Sequence, residues 1–272
     1  MSRHIVDRLI EERAPKLTQR EKVWSLIKAI GYPLLGYRKA VQIADAIADL
    51  PGTGTLEWVS DYLSLKPSPE NLDQIPETGG CVVIANHPGG IADGVAVWEA
   101  LRQRRPDVCF FANRDALRVS PGLSELIIPV EWRQNFRSRE NARETLKSAL
   151  DAFRSDRCVV IFPAGRMAEW SWKEWRLREK PWMPTAVSFA RRFGQPIIPL
   201  GVRQRMPVLY YALAQIHVEL KDMTVFQGFI GKKGAHYPLR FGQPIDPKSL
   251  PESEAEATEL IRDACERLAW GR

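Results

Sequence analysis

The sequence predicts an α/β fold, in which a mixed, largely parallel sheet is flanked by helices and preceded by an N-terminal helical segment. From residue 79 short apolar runs alternate with longer amphipathic stretches, and before that point only helical periodicity is found. The apolar runs predict strands at residues 80–85, 107–112, 157–162 and 196–201. The amphipathic stretches predict helices at residues 92–104, 139–154 and 184–193. In such folds the active groups lie on loops that leave the strand ends.

The first part of the chain is predicted to be helical and separate from the sheet. Its helical periodicity covers residues 20–30, 37–50 and 55–65. The proline-rich residues 66–70 form a candidate boundary. We therefore predict a helical segment over residues 1–66 and an α/β domain over residues 67–272. Because amphipathic helices usually face a core, packing on that domain is favoured over membrane docking.

Charge and cysteine content narrow the classes of partner and site. The 272 residues carry a formal net charge of +6, which favours anionic lipid, a phosphorylated substrate or nucleic acid as partner. The cysteines lie far apart and lack histidines at ligand spacing, which favours reduced, buried thiols over a disulfide or zinc framework. No metal site is predicted. The four are Cys81, Cys109, Cys158 and Cys265.

The sequence has no recognisable targeting or membrane-spanning segment. Its first residues mix charges and lack the apolar core and cleavage site of a signal peptide. No apolar run approaches the length of a membrane span. We therefore expect a cytoplasmic protein, for which contact with a membrane surface remains open.

One turn carries a candidate catalytic base. His87 lies in Asn86-His87-Pro88-Gly89-Gly90, directly after the first predicted strand, and Asp93 follows. Histidine can take a proton from a substrate hydroxyl near neutral pH, and a carboxylate on its other ring nitrogen would fix the tautomer. The neighbouring residues are also turn formers, so this turn alone is equally compatible with a structural histidine.

Two further strand ends carry an arginine. Arg166 follows the turn Pro163-Ala164-Gly165, and Arg114 follows the strand predicted at residues 107–112. The planar guanidinium suits bidentate contact with phosphate or carboxylate, in the same cleft as His87. The alternatives are a surface position for Arg166 and simple pairing with Asp115 for Arg114, which is favoured if Arg114 is considered alone.

In their order along the chain, these pieces resemble the glycerolipid acyltransferase superfamily, whose members acylate lysophosphatidate, glycerol phosphate and related lyso-lipids. Four short blocks within residues 75–245 carry the resemblance. They are Asn86-His87 with Asp93; Phe111-Ala112-Asn113-Arg114 running on to Pro121-Gly122; Phe162-Pro163-Ala164-Gly165-Arg166; and Gln195-Pro196-Ile197-Ile198-Pro199-Leu200-Gly201.

The resemblance implies a glycerol-3-phosphate acyltransferase-like fold and a role for each block. His87 would be the general base and Asp93 the acid that orients it. Acyl-CoA or acyl-carrier protein would supply the thioester, with no bound cofactor. Arg114 and Arg166 would bind the phosphate or other anionic head group of a lyso-lipid or phosphorylated glycerol acceptor. The other positions carried over as substrate-binding are Asn86, Gly89, Gly90, Pro163 and Gly165.

The sequence departs from the family pattern at two places. Five residues separate His87 from Asp93, where the family usually has four, and Gly89 and Gly90 could absorb the extra residue. Ala164 stands where members often carry glutamate, which puts the usual phosphatidate-pathway acceptor in doubt. His-Pro-Gly-Gly and Phe-Pro-Ala-Gly are more similar to the branch of hemolysin-like proteins and aminolipid acyltransferases.

Tryptophans and cations cluster just beyond the Phe-Pro-Ala-Gly-Arg turn. Tryptophan prefers the lipid headgroup boundary, and nearby cations are attracted to anionic lipid, so this segment could dock on an anionic membrane surface. A tryptophan-rich loop packed over the core explains the cluster equally well. Nucleic acid ranks well below both, since no recognition motif is present. The residues are Trp170, Trp172, Trp175 and Trp182, with Lys173, Arg176, Arg178 and Lys180.

Signatures of other enzyme classes are missing from the sequence. It has no Gly-x-Ser-x-Gly elbow, Walker phosphate loop or Gly-x-Gly-x-x-Gly fingerprint. We therefore predict an acyltransferase, peripheral to the cytoplasmic face of the membrane, in which a lyso-lipid hydroxyl or amine attacks the thioester. The alternatives are a non-catalytic lipid-surface binding protein and an acyl-thioester hydrolase that uses the same site.

Overall fold

A seven-stranded sheet forms the centre of the computed structural model, which describes residues 3–131, 133, 136 and 138–271. Its strands are β1 (Lys66–Glu70), β2 (Cys81–Ala85), β3 (Cys109–Asn113), β4 (Ile127–Val130), β5 (Cys158–Ile161), β8 (Ile197–Val202) and β9 (His236–Phe241). A separate antiparallel hairpin is made by β6 (Glu169–Ser171) and β7 (Arg176–Arg178).

The strand order across the sheet is β1-β9-β8-β2-β5-β3-β4. The five strands from β8 to β4 are parallel, whereas β9 is antiparallel to β8, and β1 follows the direction of β9. The predicted mixed, largely parallel sheet is therefore confirmed. Because β9 is reversed, its first residues lie at the sheet edge where β2, β5 and β8 end.

Helices cover both faces of the sheet. They are α1 (Ile5–Arg13), α2 (Pro15–Thr18), α3 (Glu21–Leu26), α4 (Tyr32–Leu34), α5 (Tyr37–Ile47), α6 (Gly52–Leu63), α7 (Ile91–Leu101), α8 (Asp115–Val119), α9 (Arg139–Arg154), α10 (Thr185–Phe193), α11 (Val208–Ile216), α12 (Val218–Met223), α13 (Val225–Ile230) and α14 (Glu254–Trp270), with a π-helical turn at Ile27–Gly31. In the part of the chain that is described, none of them is long and apolar enough to cross a membrane.

The central strands are apolar because both of their faces are covered. Every residue of β2, β5 and β8 is buried. Alternate side chains point to opposite faces, so Val83 and Ala85 of β2 join one hydrophobic cluster while Val82 and Ile84 join the other. The first cluster contains side chains of α5, α6, α7 and α13, and the second contains side chains of α9, α10 and α14.

The four predicted strands correspond to β2, β3, β5 and β8, and the predicted helices of the α/β region correspond to α7, α9 and α10, with small shifts at their ends. The sequence does not predict β1, β4, β9 or the hairpin strands β6 and β7. Strands β1, β4 and β9 each contain at least one proline, which weakens a strand signal, and β6 and β7 are only three residues long.

The N-terminal segment is helical, but it shares its core with the sheet. Val59 and Leu63 of α6 are buried in the first hydrophobic cluster. The residues predicted as a boundary form the edge strand β1, which pairs with β9. An edge strand tolerates prolines because one side of its backbone has no neighbouring strand.

An ion-pair network ties α1 to the carboxyl-terminal edge of the sheet. Glu12 of α1 pairs with Arg118 at 2.6 Å and with Arg133 at 2.7 Å, while Arg13 pairs with Asp115 at 2.8 Å. The hydrogen bond from Arg118 is the largest cause that lowers the pKa of Glu12 to about 2. The first helix is therefore held against the residues that follow β3 and β4.

Candidate active site

The predicted base lies where β2 leaves the sheet. Asn86 and His87 follow the last residue of β2, next to the end of β8. The Asn86 carboxamide donates to the Val202 carbonyl at 2.9 Å and accepts from the Val202 amide at 2.7 Å. Asn86, predicted as substrate-binding, thus uses both the nitrogen and the oxygen of its carboxamide to bind the loop to β8.

The structure brings His87 and Asp93 into direct contact. Nδ1 of His87 lies 2.9 Å from Oδ2 of Asp93. Asp93 is fully buried in the first turn of α7, where the helix N-terminus favours a negative charge. The His87 ring packs on Phe162, with 4.5 Å between the ring centroids, and the side chain stays 20% exposed. The imidazole is held in place yet accessible.

Three donors hold the Asp93 carboxylate. Besides His87, the Gly89 amide donates to Oδ2 at 2.8 Å and the Tyr237 hydroxyl donates to Oδ1 at 2.8 Å. Burial is the main cause that raises the pKa of the fully buried Tyr237 well above its usual value, and the charge of Asp93 adds to it. The Tyr237 hydroxyl therefore stays protonated and donates a hydrogen bond to the Asp93 carboxylate.

Two glycines accommodate the additional residue between His87 and Asp93. Gly90, directly before α7, has a φ of +79°, a conformation that favours glycine. At Gly89 a Cβ would lie only 2.3 Å from Oδ1 of Asp93 and 2.5 Å from the Tyr237 hydroxyl. Gly89 and Gly90, predicted as substrate-binding, thus shape the loop, and the longer spacing still permits the contact of His87 with Asp93.

A second carboxylate contacts the loop through its backbone. Oε1 of Glu179 accepts from the His87 amide, and Oε2 accepts from Nε1 of Trp182 at 2.6 Å. Burial raises the pKa of Glu179 to about 7, against the lowering effect of these two hydrogen bonds. Glu179 stands between Arg178 and Lys180, so its sequence context is that of a solvated charge and could not have identified it.

Pro163 and Gly165 form the turn that follows β5. Gly165 has a φ of +62°, and its amide donates to the Phe162 carbonyl at 3.0 Å. The Pro163 carbonyl accepts from the Met183 amide at 3.1 Å. Arg166 follows this turn and is exposed, one strand away from the His87 loop. Pro163 and Gly165 thus set the backbone path, while Arg166 is the charged group of the turn.

Arg114 directly follows β3, two strands away from β2 at the same sheet edge. Its guanidinium pairs with Glu144 of α9 at 2.7 Å. The alternative pairing with Asp115 is wrong, because Asp115 is bound by other arginines, namely Arg13, Arg118 and Arg133. Nε and Nη2 of Arg114 are buried and have no hydrogen-bond partner among the described residues. These donors match an anionic group.

The tryptophan-rich segment is largely a surface hairpin. Trp172 and Trp175 lie between β6 and β7, are 54% and 72% exposed, and pack edge to face with each other and with Trp170. Trp182 is only 6% exposed, and its indole is bound to Glu179. The prediction that Trp182 contacts a membrane is therefore wrong, because this side chain belongs to the core.

This geometry is suited to proton transfer by His87. A carboxylate only accepts hydrogen bonds, so Nδ1 of His87 carries the proton and Nε2 is the basic nitrogen. Nε2 can take a proton from an attacking hydroxyl, while Asp93 stabilises the imidazolium that forms. Within the described ranges, no three His, Cys, Asp or Glu side chains are grouped so that they could hold a metal ion.

Tyr237 is the site residue for which the sequence does contain a signal. In β9, Tyr237, Leu239 and Phe241 are buried while His236 and Arg240 are exposed, which is the alternation typical of a strand. That pattern predicts a strand, but it does not predict that the strand is reversed. The reversal is what places the Tyr237 hydroxyl beside Asp93.

Comparison with known proteins agrees with the motifs. The chain is 24% identical over 225 residues to the lyso-glycine lipid O-acyltransferase of Phocaeicola vulgatus, covering 80% of this chain and 78% of that protein. It is 22% identical over 278 residues to the protein of the same name from Bacteroides thetaiotaomicron, covering 97% of this chain and 96% of that protein.

One solved structure compared with this chain is the 1-acyl-sn-glycerophosphate (LPA) acyltransferase PlsC from Thermotoga maritima. The match covers 79% of this chain and 78% of that chain, with 16% identity and a TM-score of 0.49. The family model described as Acyltransferase matches residues 66–203, about half of the chain and all four blocks singled out in the sequence. The resemblance to the glycerolipid acyltransferase superfamily is thereby confirmed, and the chain belongs to this family of acyltransferase enzymes.

Proposed function

We propose that the enzyme transfers a fatty acyl group from acyl-CoA or acyl-carrier protein to the hydroxyl of a lyso-lipid, with His87 as the general base. The observation that carries this proposal is the 2.9 Å contact of His87 with Asp93. It lies at the sheet edge, within the segment that the acyltransferase family model matches.

In the proposed reaction Nε2 of His87 removes the proton of the acceptor hydroxyl as its oxygen attacks the thioester carbonyl. The tetrahedral intermediate then expels the thiolate as the carbon–sulfur bond breaks, and the thiolate takes the proton from the imidazolium. The products are an ester and a free thiol, without an acyl-enzyme intermediate. Asp93 holds the tautomer and stabilises the positive charge of the imidazolium.

A lyso-lipid with a glycine head group is the favoured acceptor. Both curated relatives are named for O-acylation of lyso-glycine lipid. Glycine linked through its amine keeps a carboxylate, and the buried donors of Arg114 suit a planar carboxylate as well as a phosphate. Ala164, where phosphatidate-pathway relatives often carry glutamate, is in line with a different acceptor.

The test is acyl transfer by the purified protein, followed by mass spectrometry. Lyso-glycine lipid, lysophosphatidate and an amine acceptor are each combined with acyl-CoA or acyl-carrier protein. We expect transfer to lyso-glycine lipid to exceed transfer to lysophosphatidate. Release of thiol without acceptor would instead identify a thioester hydrolase, and vesicle binding without either reaction would identify a lipid-binding protein.

His87→Ala and Asp93→Asn test the assigned roles. His87→Ala is expected to lower kcat by about 10²–10⁴-fold, which is the usual contribution of a general base. Asp93→Asn is also expected to lose most of the rate, because it disturbs the tautomer. His236→Ala, at an exposed histidine, is the matched control and keeps full activity. Full activity of His87→Ala, with the fold intact by circular dichroism, rules the mechanism out.

We propose further that the enzyme works at an anionic membrane surface from the cytoplasmic side. Trp172 and Trp175 supply exposed aromatic rings. Arg176 and Arg178 pair with Glu174, which reduces their attraction for anionic lipid, and Lys173 and Lys180 contribute roughly 1 kcal/mol each near the surface. Other exposed apolar side chains lie on the N-terminal helices, on α11 and at the start of α12, namely Val23, Leu26, Ile30, Leu34, Val208, Leu209, Ile216 and Val218.

Vesicle sedimentation tests this surface. Wild type is expected to bind vesicles that contain phosphatidylglycerol more tightly than neutral ones, and Trp175→Ala is expected to weaken that binding. Trp270→Ala is the matched control, because Trp270 is 38% exposed and lies outside the hairpin. Equal loss of binding in both variants, or none in Trp175→Ala, would contradict docking through the hairpin.

A further inference from the structure

Glu179 holds the catalytic loop by its main chain. Its Oε1 accepts from the His87 amide, and its Oε2 accepts from the Trp182 indole at 2.6 Å. The His87 carbonyl accepts in turn from the Ala168 amide at 3.0 Å. The backbone of His87 is thus fixed on both sides, and Glu179 provides one of these two attachments.

This arrangement requires Glu179 to be ionised. Both carboxyl oxygens accept a hydrogen bond, whereas a protonated carboxyl carries a hydrogen on one oxygen and makes that oxygen a poor acceptor. Protonation would therefore weaken the bond to His87 or the bond to Trp182. The indole is buried, so the loss of its acceptor is not offset by bulk solvent.

The surroundings of Glu179 oppose its ionised state. Burial is the largest effect and raises the pKa of Glu179 to about 7, and Asp93 raises it further. The hydrogen bonds from His87 and Trp182 lower the pKa. Burial raises the pKa of the Cys265 thiol, on α14, and the negative charge of Glu179 adds to that effect. The loop is thus attached to a group that gains a proton near neutral pH.

We propose that Glu179 is a positioning residue for the acyl transfer: its carboxylate holds the His87 backbone so that the imidazole lines up with Asp93, and its protonation releases that hold. The inference rests on the proposed role of His87 as the general base. Glu179 binds backbone and indole, so its effect falls on kcat and leaves KM unchanged.

The proposal has a distinct kinetic signature. Protonation of Glu179 lowers kcat about tenfold, in addition to the loss that follows protonation of the general base, so log kcat falls on the acid side with a slope that exceeds one where Glu179 titrates. A single titrating group gives a slope of one. Glu179→Gln removes the second titration while it keeps the size of the side chain. A merely structural role of Glu179 would leave the slope unchanged.

The experiment compares pH profiles of kcat and KM for the wild type and three variants. Glu179→Gln accepts from only one of the two donors, so kcat at alkaline pH is expected to fall about tenfold, with the acid slope reduced to one. Trp182→Phe removes a donor that favours the charged form, so the acid limb is expected to move to higher pH. Glu259→Gln, at an exposed carboxylate of α14 that pairs with Arg262 away from the hairpin and the site, is the matched control and leaves the profile unchanged.

A titration of the His87 amide resonance in ¹⁵N-labelled protein separates this proposal from the proposed function. In the wild type the amide is expected to titrate with the pKa of Glu179, about 7, and this titration disappears in Glu179→Gln. An unchanged kcat and slope in Glu179→Gln, or a wild-type amide that does not titrate, would overturn the proposal. If the wild type transfers no acyl group, the proposed function fails, and the amide titration alone decides whether Glu179 holds His87.

Discussion

Replacement of Tyr237 by phenylalanine removes one of the three donors of Asp93. The change deletes a single oxygen atom and keeps the ring, so the packing of β9 is preserved. Oδ1 of Asp93 loses the hydrogen bond that it accepts at 2.8 Å. Both side chains are fully buried, so the lost donor is not replaced by bulk water. The variant therefore measures how strongly the fold supports this carboxylate.

The expected loss follows from the charge of the acceptor. A hydrogen bond to a charged group contributes about 1.5–3 kcal/mol to stability, so Tyr237→Phe should lower the free energy of unfolding by about 2 kcal/mol. For a chain of this size such a loss corresponds to a decrease in Tm of roughly 4–8 °C. In a protein that already carries Asp93→Asn, Tyr237→Phe should lower the free energy of unfolding by less, because the carboxylate has been replaced by a neutral amide.

The assay is urea denaturation of the single and double variants, with Tyr32→Phe as the matched control. Tyr32 is 9% exposed, and its hydroxyl is buried without a hydrogen-bond partner among the residues described. Loss of that hydroxyl is expected to be neutral or slightly stabilising. If Tyr237→Phe unfolds at the wild-type midpoint, or if Tyr32→Phe loses as much stability, the hydrogen bond to Asp93 does not have the strength inferred here.

Two other perturbations probe the loop and the first helix. Gly89→Ala places a Cβ 2.3 Å from Oδ1 of Asp93 and should abolish most of kcat, whereas Gly94→Ala, with open space around its Cβ, should keep it; equal rates would contradict the close approach. Glu12→Gln should lose about 2 kcal/mol of stability at neutral pH. Because the pKa of Glu12 is lowered in the folded protein, its carboxylate stabilises the fold above pH 4.5, and this stabilisation is lost as the pH falls through about 2. Denaturation at a series of pH values checks this, and a wild-type advantage that persists in strong acid would refute it.

The sheet and the histidine loop could be predicted from the sequence because their signals are local. The apolar runs of β2, β5 and β8 are continuous, as expected for strands buried on both faces. His87 and Asp93 lie six positions apart, so one turn and one helix start bring them together. The two glycines between them are also visible in the sequence, and their position explains how the longer spacing is accommodated.

The rest of the site depends on contacts between distant parts of the chain. Glu179 reaches the His87 amide across 92 positions, and its charged neighbours in the sequence give no indication of burial. Arg114 pairs with Glu144 on another element, whereas the adjacent Asp115 joins the network that holds α1. In the sequence Trp182 resembles Trp172 and Trp175, since all three are tryptophans among basic residues. The chain reverses at the hairpin, however, and the Trp182 side chain lies in the core.

The reversed strand β9 also determines when the site can be completed during synthesis. Tyr237 is made 144 residues after Asp93, which at about 5–20 residues per second corresponds to roughly 7–30 s. The nascent chain contains the histidine loop throughout that interval without the Tyr237 donor, and from residue 202 onward it also contains β8, whose edge toward β9 is not yet paired. A ribosome stalled between residues 202 and 236 would therefore carry a chain with an open strand edge available to a chaperone.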